Sequence, residues 1–310
     1  MVIVDNIQKI APTIAQAVII NCGTKWVTTL ALMSALEMAN MPLLLIDCES
    51  QDDSRAHFEQ LAKTHCLQFQ WLDWPMRSHP DALNHLFSAI PAELVLLIDS
   101  DIEIRSQQVV AAMRYALARE VCAYGAGFLQ GAEWLEPPLH RLPKATGYYA
   151  ERMWIPLTLL RVAAVRAAFD DGVRFFAHRP FFEVPGMPRL SKLIGSRFRV
   201  PMLRNLKMPR IGHIEFDSRV PQGARPAFVD YDTGADLHHH LVTHGRPFVK
   251  VADDLWGDVH HYHGVTRSKI ANPFRPVAAQ FGMVSKHAET AHGFAENDAR
   301  KQLLERFGIS

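Results

Sequence analysis

Three acidic residues follow the apolar run "LVLLI" at residues 94–98 and have the spacing of a cation site. Asp99 and Asp101 flank Ser100, and Glu103 comes two residues later. Carboxylates are costly to remove from water, so a strand that ends in acids delivers them to an edge where a cation or ligand binds. Two carboxylates on one turn can hold Mn²⁺ or Mg²⁺ through oxygen and leave room for the oxygens of a diphosphate. We predict Asp101 as a direct ligand, with Asp99 on the cation or on a ribose.

A second acidic cluster, "DCESQDDS" at residues 47–54, follows another apolar run, "LLLI". The carboxyl ends of parallel strands form one edge of a sheet, where ligands of such sheets bind. We therefore expect Asp47 and Asp99 to face one crevice. Asp52 and Ser54 are also good helix caps, which is the structural alternative for them.

These acids are positioned by an alternation of strands and helices over the first hundred residues. Continuous apolar strands separated by helices predict a parallel sheet that is covered on both faces. The predicted strands are 17–21, 43–47, 67–72 and 93–99, and the predicted helices are 28–40, 52–65 and 79–90.

The pattern loosens after about residue 120, where we expect a more irregular half. Residues 157–169 have a helix-like pattern, 236–245 a short helix, 246–251 a strand, and 296–308 a charged helix. We divide the chain into a first half at 1–105, a second half of the same domain at 106–270, and a helical extension at 271–310.

Composition assigns the chain to soluble globular proteins without favouring a partner. The 310 residues are 48% hydrophobic and 21% charged, and the formal net charge is +1. The near-zero charge and the lack of a binding motif disfavour nucleic acid. No apolar run has the length of a membrane span, the first residues do not form an export signal, and four dispersed cysteines predict reduced thiols in the cytoplasm.

Four landmarks in order resemble the family 2-like glycosyltransferases of the A-type (GT-A) fold. They are "AVIINCGTKW" at 17–26, "DCESQDDS" at 47–54, "ALNHLF" at 82–87 and "LLIDSD" at 96–101. The resemblance implies a Rossmann-like, mixed and mostly parallel sheet with helices on both faces. It implies a nucleotide-sugar-binding half at 1–105 and an acceptor-side, catalytic half at 106–270.

The resemblance also implies an activity and a set of site residues. The enzyme would transfer a hexosyl or related sugar from a nucleoside-diphosphate sugar to a hydroxyl of a glycan, a lipid-linked acceptor or a polysaccharide precursor, with inversion and with Mn²⁺ or Mg²⁺. The residues implied for the nucleotide sugar are Asn21, Asp47, Glu49, Asp52, Asn84, Asp99 and Ser100, and those for the metal are Asp99, Asp101 and His263.

The catalytic base is the part of the pattern from which this chain departs. Family members carry a Glu-Asp pair at a helix start, and this chain has "FVDYDTGADLHHHLVTHG" there instead. Asp230, Asp232 and Asp236 compete for the role; we place Asp232 first and Asp236 second, with a helix cap or turn as the structural alternative. A retaining enzyme, or a non-catalytic protein that binds nucleotide sugar or scaffolds a partner, is the competing hypothesis.

Seven of the sixteen histidines lie between residues 238 and 263. Most of the run 238–240 is expected at the surface, and His240 with His244 at i,i+4 is a minor candidate for a transition metal. The "HYHG" segment at 261–264 resembles a late His-Gly landmark of the same family. We prefer His263 to His261 as the third ligand because Gly264 follows it.

The segment 186–213 has seven basic residues and no acid, which predicts an anionic partner. The donor diphosphate, a phosphorylated acceptor and the inner face of a membrane are the candidates. Its prolines and glycines disfavour one long helix, so we expect a loop over the site.

Overall fold

The computed structural model describes residues 1–50, 52–75, 79–131, 151–175, 233–262 and 286–309. The strands in these ranges are β1 Val2–Val4, β2 Thr13–Asn21, β3 Leu43–Cys48, β4 Gln70–Trp74, β5 Ala92–Asp99, β6 Ile102–Ile104, β7 Gly125–Gly131, β8 Glu151–Arg161, β9 Phe248–Lys250 and β10 Val259–His261. The helices are α1 Lys25–Met38, α2 Ser54–Thr64, α3 His79–Ala89, α4 Gln107–Arg119, α5 Val162–Asp170, α6 Ala235–Thr243 and α7 Lys286–Phe307.

Eight of these strands form one mixed sheet in the order β1-β4-β3-β2-β5-β8-β7-β9. The strands from β1 to β5 in that order are all parallel, whereas β8 is antiparallel to both β5 and β7. The chain moves outward from β2 to β3 and β4 and then returns to β5 on the other side of β2. The sheet therefore has a topological switch point between β2 and β5, where open α/β sheets bind ligands beyond the strand ends.

Helices cover both faces of the sheet, as the sequence predicts. Apolar residues of α1, α2, α4 and α7 pack on one face, with Leu30 and Phe58 among the fully buried side chains. Those of α3, α5 and α6 pack on the other face, with Phe87 and Leu237 fully buried. The predicted α/β class, with a largely parallel central sheet, is confirmed.

The predicted helix at 157–169 is wrong in its first part. Residues up to Arg161 belong to β8, and α5 begins at Val162. In β8, Leu157 and Leu159 are opposite β5 residues of the central sheet and are fully buried. The apolar run is buried as an inner strand between β5 and β7, so tertiary packing determines its conformation.

A two-stranded antiparallel ribbon of β6 and β10 lies beside the main sheet. Ile102 is opposite His261 and Ile104 is opposite Val259. This pairing brings the segment after Asp101 together with residues about 160 positions further along the chain. Among the described helices, none is long and apolar enough to cross a membrane.

Candidate functional site

The carboxyl ends of β2 and β3 meet in a buried hydrogen-bonded network centred on Asn21. Asn21 lies opposite Asp47 in the sheet, and its Nδ2 donates to Asp47 Oδ1 at 2.6 Å. Its Oδ1 accepts from the main-chain N–H of Thr24 at 3.2 Å and from the hydroxyl of Thr28 at 2.9 Å. Asn21 is fully buried. Its predicted role toward a nucleotide would therefore act through Asp47 and through the start of α1.

Asp47 is held at this strand end by donors on both oxygens. The Ser50 hydroxyl donates to Oδ1 at 2.6 Å, and the Ser50 main-chain N–H donates to Oδ2 at 3.0 Å. Burial raises the pKa of the Asp47 carboxyl, although the hydrogen bonds from Ser50 and Asn21 lower it. The result is a buried, oriented carboxylate at the end of β3 that accepts hydrogen bonds on both oxygens.

The segment after β3 carries two more of the predicted nucleotide residues, Glu49 and Asp52. Glu49 is exposed and has a φ of +48°, a left-handed conformation that costs a non-glycine residue on the order of 1 kcal/mol. Such strain persists only where the surroundings impose it, and it clusters at functional sites. Asp53 occupies the N-cap position of α2, and Asp52, one residue earlier, accepts the Ser54 main-chain N–H on its Oδ1 at 3.2 Å. Asp52 thus helps to order the start of α2, and its nucleotide role stays a prediction.

The Asp99-Ser100-Asp101 turn at the end of β5 is connected to the same network. Asp99 lies opposite Ile20, one residue before Asn21, and the Thr24 hydroxyl donates to Ser100 Oγ at 3.2 Å. The first residue of α3, His79, places its Nε2 3.5 Å from Asp99 Oδ1. The strand ends of β2, β3 and β5 therefore bring both predicted acidic clusters to one edge of the sheet.

His261 is the histidine that the described structure brings to Asp101. Its Nε2 lies 3.4 Å from Asp101 Oδ1, and the adjacent Tyr262 N–H donates to the Asp101 carbonyl at 2.9 Å. The sequence favoured His263, which lies outside the described residues. The pairing of β6 with β10 identifies His261, whereas the local sequence favoured the other histidine because Gly264 follows it.

The donor set fits a divalent cation that a diphosphate would help to hold. Asp101 and Asp99 supply hard oxygens, and His261 supplies an imidazole nitrogen. Within the described ranges no three His, Cys, Asp or Glu side chains form a complete metal site. Mg²⁺-type ions are usually bound by one or two carboxylates together with substrate phosphates and water. Asp99, Asp101 and His261 therefore do not form one group of three ligands in the described structure, and a cation at Asp101 would need oxygens from phosphate and water as well.

Asn84 is placed on the central turn of α3, where it contacts main chain. Its Oδ1 accepts from the Phe175 N–H at 2.8 Å, and its Nδ2 donates to the Phe175 carbonyl at 3.3 Å. These bonds join α3 to the segment after α5. The predicted nucleotide contact of Asn84 stays a prediction.

The predicted base candidates lie at or before the start of α6. Asp230 and Asp232 are outside the described residues, and so is the basic segment 186–213. Asp236 is in the first turn of α6, which begins after Gly234. Gly234 has a φ of +86°, and a Cβ there would lie 2.9 Å from the Ile155 side chain of β8. Glycine thus allows α6 to begin against β8.

The other histidines of the cluster at 238–244 have structural partners. The Met153 N–H donates to His238 Nδ1 at 3.2 Å, and the Tyr124 hydroxyl lies 2.6 Å from the same nitrogen. Burial lowers the pKa of His238 to about 4, so its imidazole is neutral. His240 Nε2 lies 3.0 Å from Asp171 Oδ2, which gives His240 a partner other than a metal.

An aromatic group extends from His261 toward the surface. The ring of Trp154 lies 5.6 Å from that of His261 and 4.6 Å from that of Trp256, and Phe128 packs 4.5 Å from Trp256. Trp154 is buried, whereas Trp256 is 44% exposed. Trp154 thus links the exposed indole of Trp256 to His261. Sequence analysis did not single out these residues, because they come from three separate segments.

No known family profile matches the chain, and no curated protein matches it in sequence. Many solved structures show a likeness to it, and three of them serve as examples. The mannosyltransferase PcManGT from Pyrobaculum calidifontis, in complex with GDP-Man and Mn²⁺, is 12% identical over 96% of this chain and 78% of its own, with a TM-score of 0.44.

S. aureus TarS 1–349 is 14% identical over 52% of this chain, with a TM-score of 0.35, and the match spans about half of TarS 1–349. The 4-diphosphocytidyl-2C-methyl-D-erythritol synthase of Anaerococcus prevotii is 10% identical over 52% of this chain and 75% of its own, with a TM-score of 0.39. With TM-scores below 0.5, these likenesses carry no argument about this chain. The strand order by itself establishes a mixed, largely parallel α/β sheet, which is the class that the sequence resemblance implies.

Proposed function

We propose that this protein is a glycosyltransferase that moves a sugar from a nucleoside-diphosphate sugar to a hydroxyl of a glycan acceptor. The observation that carries the proposal is the convergence of two acidic clusters at the switch point of the sheet. Asp47 lies near the end of β3, Asp99 is the last residue of β5, and Asp101 follows it by two residues. A donor bound across this point would have its nucleoside at Asp47 and its diphosphate at Asp101.

The cation would be held by Asp101 and His261, with Asp99 as a direct ligand or through water. When bound, a divalent cation would offset the charge of the departing nucleoside diphosphate. Asp47 and Glu49 would orient the base and ribose. Asn21 would keep Asp47 in place, since its amide donates to that carboxylate at 2.6 Å.

For the transfer, the acceptor hydroxyl oxygen attacks the anomeric carbon while the bond from that carbon to the diphosphate oxygen breaks. The diphosphate leaves with the bonding electrons, and a carboxylate takes the hydroxyl proton. Asp232 is our first candidate for this base, and Asp236 in the first turn of α6 is the second. Inversion of the anomeric centre follows from this single displacement.

A glycan acceptor is supported by the position of Trp256. Its half-exposed indole is connected through Trp154 to His261, which itself lies 3.4 Å from Asp101. Planar aromatic rings offer a sugar a flat apolar face, and the neighbouring Asp253 and Asp254 are exposed acceptors for its hydroxyls.

We place the reaction in the cytoplasm. The basic segment 186–213 is our candidate contact to a lipid-linked acceptor or to an anionic membrane surface.

A panel of UDP, GDP and CDP with and without Mn²⁺ tests the donor site by thermal shift. We expect one nucleotide to raise the melting temperature, and Mn²⁺ to increase that shift. Asp101→Ala should lose the Mn²⁺-dependent part, and Asp5→Ala, which removes a 70% exposed carboxylate far along the sheet edge, should keep it. If no nucleotide shifts the melting temperature with or without Mn²⁺, the proposal is refuted.

Turnover separates an enzyme from a protein that only binds nucleotide sugar. A competent site should hydrolyse its donor slowly when Mn²⁺ is present and acceptor is absent. Tight donor binding without hydrolysis or transfer would favour the non-catalytic alternative. Product anomeric configuration, read by NMR, then decides between inversion and retention.

A further inference from the structure

Glu103 is a buried carboxylate to which the proposed reaction gives no role. It follows Asp101 by two residues in β6, and its side chain is only 1% exposed. In the antiparallel ribbon it is opposite His260, next to His261. A carboxylate at this depth is stable only if charged or polar donors replace its water.

Donors from three separate parts of the chain surround it. The Arg105 guanidinium donates to Glu103 Oε2 at 2.9 and 3.1 Å, and the Tyr262 hydroxyl donates to the same oxygen at 3.2 Å. Arg306, from the last turn of α7, donates to the other oxygen, Oε1. Arg306 also reaches Glu37 of α1, with its NH2 3.2 Å from Oε2.

These donors connect the C-terminal helix to the strands that carry the cation-site residues. The Tyr262 N–H donates to the Asp101 carbonyl, and His261 pairs with Ile102 in the same ribbon. Helix α7 is itself anchored, because Ala299 and Leu303 are fully buried in the core cluster that includes Ile102 and Ile104. Hydrogen bonds and ion pairs to the Glu103 carboxylate thus connect β6, β10 and α7.

We infer that Arg306 is a positioning residue for the divalent cation. By pairing with Glu103 it holds the β6–β10 ribbon in the arrangement that places His261 Nε2 3.4 Å from Asp101 Oδ1. The inference rests on the proposed function, since it presumes a cation at Asp101. The affinity for that cation then depends on helix α7. Its residue Arg306 lies 203 positions from Glu103 in the sequence.

The decisive variant is Arg306→Lys, which keeps the positive charge and the stem but loses the guanidinium fork that spans Glu103 and Glu37. The readout is the dissociation constant of Mn²⁺ with saturating nucleoside diphosphate, measured by electron paramagnetic resonance. Residues behind the metal ligands usually change metal affinity by 10- to 100-fold, and we expect an increase of about tenfold. Nucleotide affinity in EDTA, which does not use the cation, should stay at the wild-type value.

Two control variants separate positioning from general stability. Glu37→Gln removes the exposed partner of Arg306 and leaves the pair with Glu103 intact, so Mn²⁺ affinity should not change. Lys301→Ala removes an exposed pair with Glu305 on the same helix and should also have no effect. Glu103→Gln keeps the shape of the side chain without its charge, and it should weaken Mn²⁺ binding as Arg306→Lys does.

Wild-type Mn²⁺ affinity in Arg306→Lys, whatever its melting temperature, would overturn the inference and leave only a structural ion pair. The same holds if Glu37→Gln weakens Mn²⁺ as strongly. If Arg306→Lys does not fold, Glu103→Gln decides by the same criterion. If the wild-type protein binds nucleotide but never Mn²⁺, the cation site of the proposed function fails first, and the inference fails with it.

Discussion

Replacing Asn21 by Asp should make the stability of the protein depend on pH. The wild-type amide donates to Asp47 Oδ1 at 2.6 Å, and an oxygen in place of that nitrogen would face the Asp47 carboxylate with no proton between them. Asn21 is fully buried, so water cannot screen the pair. The two carboxyl groups must then either repel each other or share a proton.

The size of the effect follows from comparing these two options. At 2.6 Å and an effective dielectric constant of about 20, the repulsion is about 6 kcal/mol. Protonating one carboxyl of ordinary pKa about 3.9 at pH 7 costs about 4 kcal/mol, at about 1.4 kcal/mol per pH unit. Proton uptake is cheaper, so it limits the loss of stability at pH 7 to about 4 kcal/mol.

The sign of the pH dependence follows from the raised folded-state pKa of the pair. The folded protein holds a proton that the unfolded chain has released above its ordinary pKa. The free energy of unfolding of Asn21→Asp is therefore highest below about pH 4. Above that pH it falls by about 1.4 kcal/mol per pH unit until the folded pair ionises. Wild-type Asp47 has the same sign, because burial raises its pKa.

Urea unfolding of the mutant and the wild type at several pH values between about 4.5 and 7.5 measures this slope. Asn21→Ala removes the amide without adding a charge, and its loss of stability should change little with pH. Asn84→Asp makes the same substitution where the partner is the main chain of Phe175 rather than a carboxylate, and it should also show little slope. If Asn21→Asp loses the same free energy at low and neutral pH, the network has been described wrongly.

Three further outcomes are expected. Asp101→Ala should fold normally and lose the Mn²⁺-dependent stabilisation by nucleoside diphosphate, which is about 2.7 kcal/mol at a ligand concentration of about 100 Kd. A melting temperature that still rises with Mn²⁺ and nucleotide in calorimetry would contradict its role. Asp232→Asn should bind donor normally and lose about two to four orders of magnitude of transfer, because Asn cannot take a proton; near-normal turnover would eliminate it and direct the same assay to Asp236→Asn. Trp256→Ala should raise the acceptor KM and leave donor hydrolysis unchanged, whereas Tyr115→Ala, which removes an exposed ring on α4, should change neither; an unaffected acceptor KM would remove the stacking role.

The sequence alone predicted the strands β2 to β5 and the helices between them, although not the parallel edge strand β1. The predicted strands are continuous apolar runs and the predicted helices have good helix formers, so local pattern and burial agree there. The acidic ends of two strands were predictable for the same reason, because parallel strands deliver their carboxyl ends to one edge. Asp47 and Asp99 lie at that edge in the structure.

Tertiary structure decided the parts that depend on distant pairing. Residues 157–161 have a helix-like pattern and form a strand because β5 and β7 lie on either side of them. Among the described residues, His261 is the histidine that lies at Asp101, and Glu103 is stable because Arg306 reaches it from α7. No local pattern encodes these contacts. Their partners are about 160 and 203 residues away, and only the packed sheet and the C-terminal helix bring them within hydrogen-bonding or ion-pair distance.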